Sequence, residues 1–347
     1  MVKNTQVIFS RIPDSYIPEV GKDMAIKETE FDLDAPLSNG QFILKQLSLS
    51  IDSYMRGRMR DPSVKSYVDA FEIGKPLKCG TMSLVTKSNN PKFKEGDLVQ
   101  SSGGLFEQYT LVQDEKQAEE YQVKNDPRDT GLPPSYYLGL LGMPGMTAYV
   151  GMMKIGRPKK GKTLYVSAAA SSVGQLAGQI GKVYGMTVVG SAGADDKTVY
   201  LKEIGFDEAF NYKNDDISTK LKEVCPKGID IYFDNVGGKT LEAAIANCNN
   251  YGRIVACGMI SQYAEHPETA HNLMQIIVKR LRVEGFIVSD EADMKEQFRK
   301  DVTQWLLDGK INYKESVAEG IEKAPEALID VLQGKNLGKQ IIKVADE

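Results

Sequence analysis

A chain of 347 residues has room for two domains at the usual ~100–200 residues each. Its composition is 41% hydrophobic and 26% charged, and its formal net charge is −4 without a basic block, which argues against nucleic acid and anionic membrane surfaces as partners. No apolar run nears the ~18 residues of a membrane span, and Val7-Ile8-Phe9 is too short for a signal-peptide core. Four dispersed cysteines, Cys79, Cys225, Cys248 and Cys257, suit reduced thiols, so the expected compartment is the cytoplasm. His266 and His271 lie five apart in a polar stretch, which does not put both on one helical face. No two cysteines have zinc-lobe spacing, so both histidines read as solvated and no metal is expected.

Residues 1 to about 110 read as short strands between Gly and Asp turns, a compact β-barrel-like domain. The pattern predicts a strand over 41–51, a turn feeding a strand over 94–99, and a turn at Gly103-Gly104 feeding another through Leu111. The polar stretch 114–134 reads as a connection. Residues 136–154 read as two buried helical pieces broken at Pro144. From Gly161 the pattern alternates. Strands are predicted at 163–166, 187–190, 208–212, 230–234, 253–257 and 282–288, with helices at 173–184, 197–204, 217–224, 240–248 and 273–279. Such alternation makes a doubly wound parallel sheet. Phe298, Val302, Trp305 and Leu306 mark one more amphipathic helix, and 338–344 reads as a closing strand that returns to the first domain.

The segment on which this pattern turns is 161–174. A buried strand is followed by Ser167-Ala168-Ala169-Ala170-Ser171, and a helix opens near Ser172. Strand, tight turn of small residues and helix is the opening of a dinucleotide-binding unit, in which pyrophosphate meets the N–H groups of the helix terminus. Of the G-x-G-x-x-G glycines only Gly174 stands, with Ala169 and Ser171 at the other two places; alone, the stretch reads equally as an ordinary strand-to-helix turn. The second strand ends without the carboxylate that binds a ribose 2′-OH in NAD sites. Asp195 reads as the N-cap of the next helix. Lys197, in that helix's first turn, suits a 2′-phosphate and hence NADPH, and Tyr212 can add a hydroxyl; singly, each also reads as a surface lysine and a core-edge tyrosine.

Five ordered stretches carry a resemblance: 51–59 (IDSYMRGRM), 142–149 (GMPGMTAY), 232–238 (YFDNVGG), 257–263 (CGMISQY) and 336–339 (NLGK). Together they resemble the zinc-independent medium-chain reductases, in the prostaglandin reductase and plant alkenal double-bond reductase branch. The resemblance covers nearly the whole chain. It implies an α/β protein with a GroES-like β-barrel domain (1–138 and 315–347) and a Rossmann doubly wound parallel sheet domain (139–314). It implies NADPH as cofactor, contacted by Ser171, Ser172, Val173 and Gly174, by Lys197 and Tyr212 at the 2′-phosphate, and by Asn235. It also implies contacts at the strand-end loop of Cys257, Gly258, Ile260 and Tyr263, at the strand Phe286-Ile287-Val288, and at Asn336. The implied reaction reduces the carbon–carbon double bond of α,β-unsaturated aldehydes and ketones, with Tyr263 as hydrogen-bond donor beside the nicotinamide and Tyr54 at the substrate mouth. Taken singly these residues also read as turn formers and core packing. A quinone reductase of the same superfamily and an NADPH-binding protein without turnover are the alternatives. A homodimer is expected chiefly from the resemblance, with the run 282–288 as an apolar sheet edge.

Overall fold

In the computed structural model, which describes residues 1–263 and 267–347, one unit comprises Met1–Gly139 with Glu315–Glu347 and the other Leu140–Lys314. His266 lies outside the described residues, and His271 is exposed with Nε2 2.9 Å from Thr269 Oγ1.

The first unit begins with β1 (Val2–Phe9) paired antiparallel to β2 (Met24–Phe31). Then come β3 (Phe42–Ile51), the short helix α1 (Met55–Arg58), β4 (Lys78–Ser88), β5 (Leu98–Leu105) and β6 (Tyr109–Val112). Gly103 and Gly104, expected to turn, lie inside β5. A Cβ on Gly104 would overlap the Thr81 side chain across the β4–β5 pair, so glycine here permits close strand approach rather than a bend. The stretch 114–134 is likewise not a bare connection. It forms α2 (Glu115–Ala118), β7 (Tyr121–Val123) and α3 (Asp126–Thr130). Buried Tyr121 explains this: its ring meets Phe42 edge-on at 6.2 Å, and Phe42 in turn stacks on Phe93 at 4.4 Å.

In the second unit α4 (Met143–Val150) carries Pro144 in its first turn, where the missing N–H has no intrahelical acceptor to lose; proline starts this helix instead of breaking it. The alternation then runs β8 (Thr163–Val166), α5 (Ser172–Val183), β9 (Thr187–Ala192), α6 (Asp195–Glu203), β10 (Glu208–Asn211), α7 (Ile217–Val224), β11 (Ile229–Asp234), α8 (Gly238–Asn247), β12 (Cys248–Ala256), α9 (Met274–Lys279), β13 (Arg282–Gly285) and α10 (Lys295–Leu307). All six strands are parallel, in the order β10-β9-β8-β11-β12-β13. The winding direction reverses between β8 and β11, and ligands of such sheets bind outside the carboxyl ends of the strands there.

Two expectations fail locally. The strand predicted over 282–288 stops at Gly285, opposite Ala256, because its neighbour β12 itself ends at Ala256 and offers no further partner; Phe286, Ile287 and Val288 are therefore outside the sheet. Asp195 is not an N-cap. Ala194 holds that position, and the Asp195 carboxylate sits in the first turn, accepting from Asn211 Nδ2 at 2.8 Å and Asn214 Nδ2 at 3.3 Å.

One face of this sheet is packed with aromatic rings. Tyr165 and Tyr232 lie opposite each other on β8 and β11 with ring centroids 5.0 Å apart, and Phe210 stacks beyond Tyr165 at 6.2 Å. Their hydroxyls are satisfied inside: Tyr165 pairs with Ser191 Oγ at 2.8 Å, and Tyr232 donates to Asp234 Oδ1 at 2.7 Å. On α5, buried Gln175 and Gln179 act as backbone mimics. Gln179 donates to Asn312 O (2.8 Å) and accepts from Asn312 N (2.7 Å), and Gln175 makes the same pair with Lys314 at 3.2 Å each way.

The chain closes the first unit with β14 (Glu315–Glu319), α11 (Ala324–Leu332) and β15 (Lys339–Lys343). The sheet order is β14-β15-β3-β4-β5-β7, with β6 also on β3. Leu328 and Leu332 of α11 join Leu49 and Ile342 in the core.

A methyl group on Gly178 of α5 would overlap the Phe206 ring, which is buried over it. Gly178→Ala is expected to destabilise by ~1–3 kcal/mol through overpacking, seen as a lower urea midpoint, and Phe206→Leu in the same chain to recover part of that loss.

Candidate active site

The turn after β8 is shaped by one missing side chain. A Cβ on Gly174 would lie 2.5 Å from Ala168 O and 2.8 Å from Ala169 Cα, so only glycine lets the first turn of α5 settle against this loop. The loop itself is tight: Ala168 sits at φ 46°, a left-handed conformation costing an L-residue about 1–2 kcal/mol. Ser171 is the N-cap of α5, its hydroxyl accepting from Gly174 N at 3.1 Å. A serine in place of a fingerprint glycine thus takes up one terminal N–H and leaves those of Ser172 and Val173 without intrahelical acceptors. The buried Ser172 Oγ has no partner among the described residues. The result is an anion cradle at a helix N-terminus, open to close backbone approach.

Three strand ends are laced together behind this cradle. Ser167, at the end of β8, accepts through Oγ from Asn235 N (3.0 Å), with the Tyr232 hydroxyl oxygen 3.0 Å from the same Oγ, and through its carbonyl from Asn235 Nδ2 (2.7 Å). Asp234 Oδ1 accepts from Val236 N and Gly237 N at 2.9 and 2.8 Å, while its carbonyl accepts from Cys257 N and Gly258 N at 3.0 Å each. Burial holds the Asp234 carboxyl above the usual carboxylate range. It also pushes the Cys257 thiol up to about 12, with Asp234 adding to the effect, so Cys257 is not a thiolate nucleophile. The following turn, Ile260–Tyr263, hangs from the same rim: Ile260 N donates to Asn235 O (3.3 Å) and Ser261 N to Val236 O (3.0 Å). Tyr263 ends that turn and is 40% exposed.

Lys197 and Tyr212 stand at the neighbouring strand ends. The Tyr212 ring lies against Gly193, whose missing Cβ makes room for it, the phenolic oxygen being 3.0 Å from where that Cβ would be. Lys197 is buried; burial pushes its ammonium down, Asp196 opposes that, and Lys213 adds to it. Two cations and a phenol at one corner suit a phosphate.

Ser171–Gly174, Asn235 and Cys257–Tyr263 are thus brought together at the carboxyl ends of β8, β11 and β12. Phe286, Ile287 and Val288, half-buried, form a turn after β13 in which Ile287 O accepts from Asp290 N at 3.1 Å. Tyr54 and Asn336 belong to the other unit. Tyr54 heads α1, packs against Met55, Phe71 and their neighbours, and has its phenol pushed well up by burial, with Cys79 and Asp52 adding. Asn336 Nδ2 donates to Gly338 O at 2.8 Å. The sequence reading did not single out Ser167, Asp234, Lys213, Asp52 or Lys339. Three of them stood inside recognised stretches, where a buried polar residue beside a named one was the available signal.

No group of three or more His, Cys, Asp or Glu residues able to hold a metal ion occurs among the described residues. Among the described residues no helix is long and apolar enough to cross a membrane.

Two family models match the chain: "N-terminal domain of oxidoreductase" over residues 6–120 and "Zinc-binding dehydrogenase" over 172–307. The chain is 45% identical to a 2-alkenal reductase (NADP(+)-dependent) of Nicotiana tabacum, over all of this chain and 99% of the relative. It is 42% identical to (+)-pulegone reductase of Mentha piperita, over the full length of both. Among solved structures, CurA of Vibrio vulnificus in complex with NADPH is 37% identical with a TM-score of 0.88, over 99% of this chain and 100% of the other.

Proposed function

The chain belongs to the medium-chain dehydrogenase/reductase family, in its zinc-independent prostaglandin reductase and alkenal double-bond reductase branch, and we propose that it reduces the carbon–carbon double bond of α,β-unsaturated aldehydes and ketones with NADPH. The observation that carries this reading is whole-length identity of 45% to an NADP(+)-dependent 2-alkenal reductase. The cradle supports it, because its residues suit the cofactor: Gly174 gives the backbone approach a pyrophosphate needs, Ser172 and Val173 offer N–H groups, and Lys197, Lys213 and Tyr212 supply charge and a hydroxyl for a 2′-phosphate.

When bound, NADPH would supply the hydride that the β-carbon of the substrate takes. Negative charge would then move to the carbonyl oxygen as an enolate, and the α-carbon would take a proton from water. A hydrogen bond to that oxygen strengthens as the charge develops, so it lowers the barrier more than it tightens substrate binding. Tyr263 is our donor. Its phenol stands at the end of a turn whose backbone is fixed to the rim at Asn235 and Val236. Asn235, Cys257, Gly258, Ile260, Phe286–Val288 and Asn336 are proposed cofactor contacts, and Tyr54 a substrate contact. Cysteines that are all unpaired fit a reducing, cytoplasmic setting.

A homodimer is part of the proposal. β13 is an edge strand of the parallel sheet, and next to it in the chain α9 carries Met274 and Ile277 at 68% and 72% exposure. An apolar helix face next to an unpaired edge strand is what a second copy related by a two-fold axis can cover.

The test of the activity is a panel of alkenals, enones and quinones with NADPH and NADH; faster quinone turnover would move the assignment to quinone reduction. Lys197→Ala is expected to raise the KM for NADPH and leave that for NADH nearly unchanged, and equal changes would remove the 2′-phosphate role. Tyr263→Phe is expected to lower kcat by roughly ten- to a thousand-fold with little change in NADPH binding. Full activity in that variant, with a deuterated cofactor showing hydride transfer to be rate-limiting, would leave a ribose hydroxyl or water as donor. Light scattering at micromolar concentration should give twice the 38.3 kDa chain mass, and Ile277→Glu should return it to one.

A further inference from the structure

Lys339 is fully buried, an environment a lysine enters only with strong compensation. Its ammonium donates to Asp52 Oδ1 at 2.7 Å and to Ile51 O at 2.6 Å. The other Asp52 oxygen accepts from Ser50 Oγ, and Ser50 O accepts from the Cys79 thiol. The ion pair thus sits at the point where β3 ends and the chain turns into α1. Asp52 heads that turn, its carbonyl accepting from Met55 N at 3.1 Å, with Tyr54 between them. The far side of α1 is fastened as well. Arg58 lies 4.3 Å over the Phe71 ring and donates to Asp69 O (3.0 Å) and Lys78 O (2.6 Å), while Arg56 donates to Tyr16 O (2.6 Å).

Packing alone holds a strand end without a buried charge, and a buried ion pair is a weak source of net stability. What such a pair does well is define one geometry, because an ammonium bonded to two fixed oxygens has few alternatives. We propose that Lys339 is a positioning residue: through Asp52 it sets the turn that presents Tyr54, and so tunes how the substrate is held. This rests on the reading of Tyr54 as a substrate contact.

The experiment is a double-mutant cycle on the full-length protein, reading alkenal KM and kcat with NADPH. Lys339→Met alone leaves the half-buried Asp52 carboxylate without its counter-ion and can fail to fold, so the charge-free pair Lys339→Met with Asp52→Asn is used and its urea midpoint checked. We expect Tyr54→Phe to raise alkenal KM about tenfold in the wild type, the charge-free pair to raise it similarly, and Tyr54→Phe to add less than about twofold on top of that pair. A merely structural role gives independent effects. If Tyr54→Phe keeps its full effect in the charge-free protein, or that protein keeps its alkenal KM within about twofold, the inference is overturned while the Tyr54 reading stands. If Tyr54→Phe is silent in the wild type, the Tyr54 reading falls and takes the inference with it. Should the charge-free pair not fold, Lys339→Arg is read in the same cycle: a raised alkenal KM with a muted Tyr54→Phe effect supports the inference, and unchanged values overturn it.

Discussion

The absence of a side chain at residue 174 is the constraint from which the second unit's site follows. With no Cβ there, the first turn of α5 lies against Ala168 and Ala169, and the helix terminus points its N–H groups into the loop after β8. That contact needs the loop to be short and tight, which Ala168 meets by adopting a left-handed conformation. The loop is in turn held by its neighbours. Ala169 N donates to Ser191 O at 2.9 Å, and Ser167 takes the Asn235 side chain. Distortion at the turn is affordable because hydrogen bonds from two flanking strand ends hold it in place.

Beneath the rim, polar atoms replace what could have been a purely apolar core. Tyr165, Tyr232, Ser167, Ser191 and Asp234 are buried on or just past the strands, and their hydroxyls and carboxylate bond to each other. Such a network costs desolvation, but it fixes where the strand ends stop and their loops begin. Asp234 does most of this, gathering N–H groups from its own turn and from the loop after β12. Loop position at the site is therefore set by directed bonds, which tolerate less sliding than apolar contacts do.

The doubly wound sheet was legible because strand and helix periods alternate cleanly from residue 163, and buried parallel strands read as short apolar runs. The cradle was legible as a turn of small residues, though not the use of Ser171 as a cap, which depends on a hydroxyl reaching three residues ahead. Misreadings share a cause. Pro144, Gly103-Gly104 and Asp195 are all residues whose local habit is to break, turn or cap, and each was redirected by its surroundings: a helix start, a crowded strand pair, two asparagines. The strand at 282–288 was overextended because Phe286-Ile287-Val288 has the right composition, while the partner strand ends at Ala256. Lys339 and Asp52 could not be paired from sequence at all. They are 287 positions apart, and nothing local marks a lysine as buried.

That separation bears on how the protein is made. The second unit is an insertion between residues 139 and 315 of the first. During synthesis the 140–314 stretch has all its strands available and can fold as a body while the first unit still lacks β14 and β15. Until those strands emerge, the edge of β3 that pairs with Gln340–Lys343 is open, and the Asp52 carboxylate has no counter-ion. At ~5–20 residues per second, the nascent chain carries this exposed edge for some tens of seconds. A ribosome that stops short of β15 thus releases a chain whose second unit is complete and whose first unit cannot close.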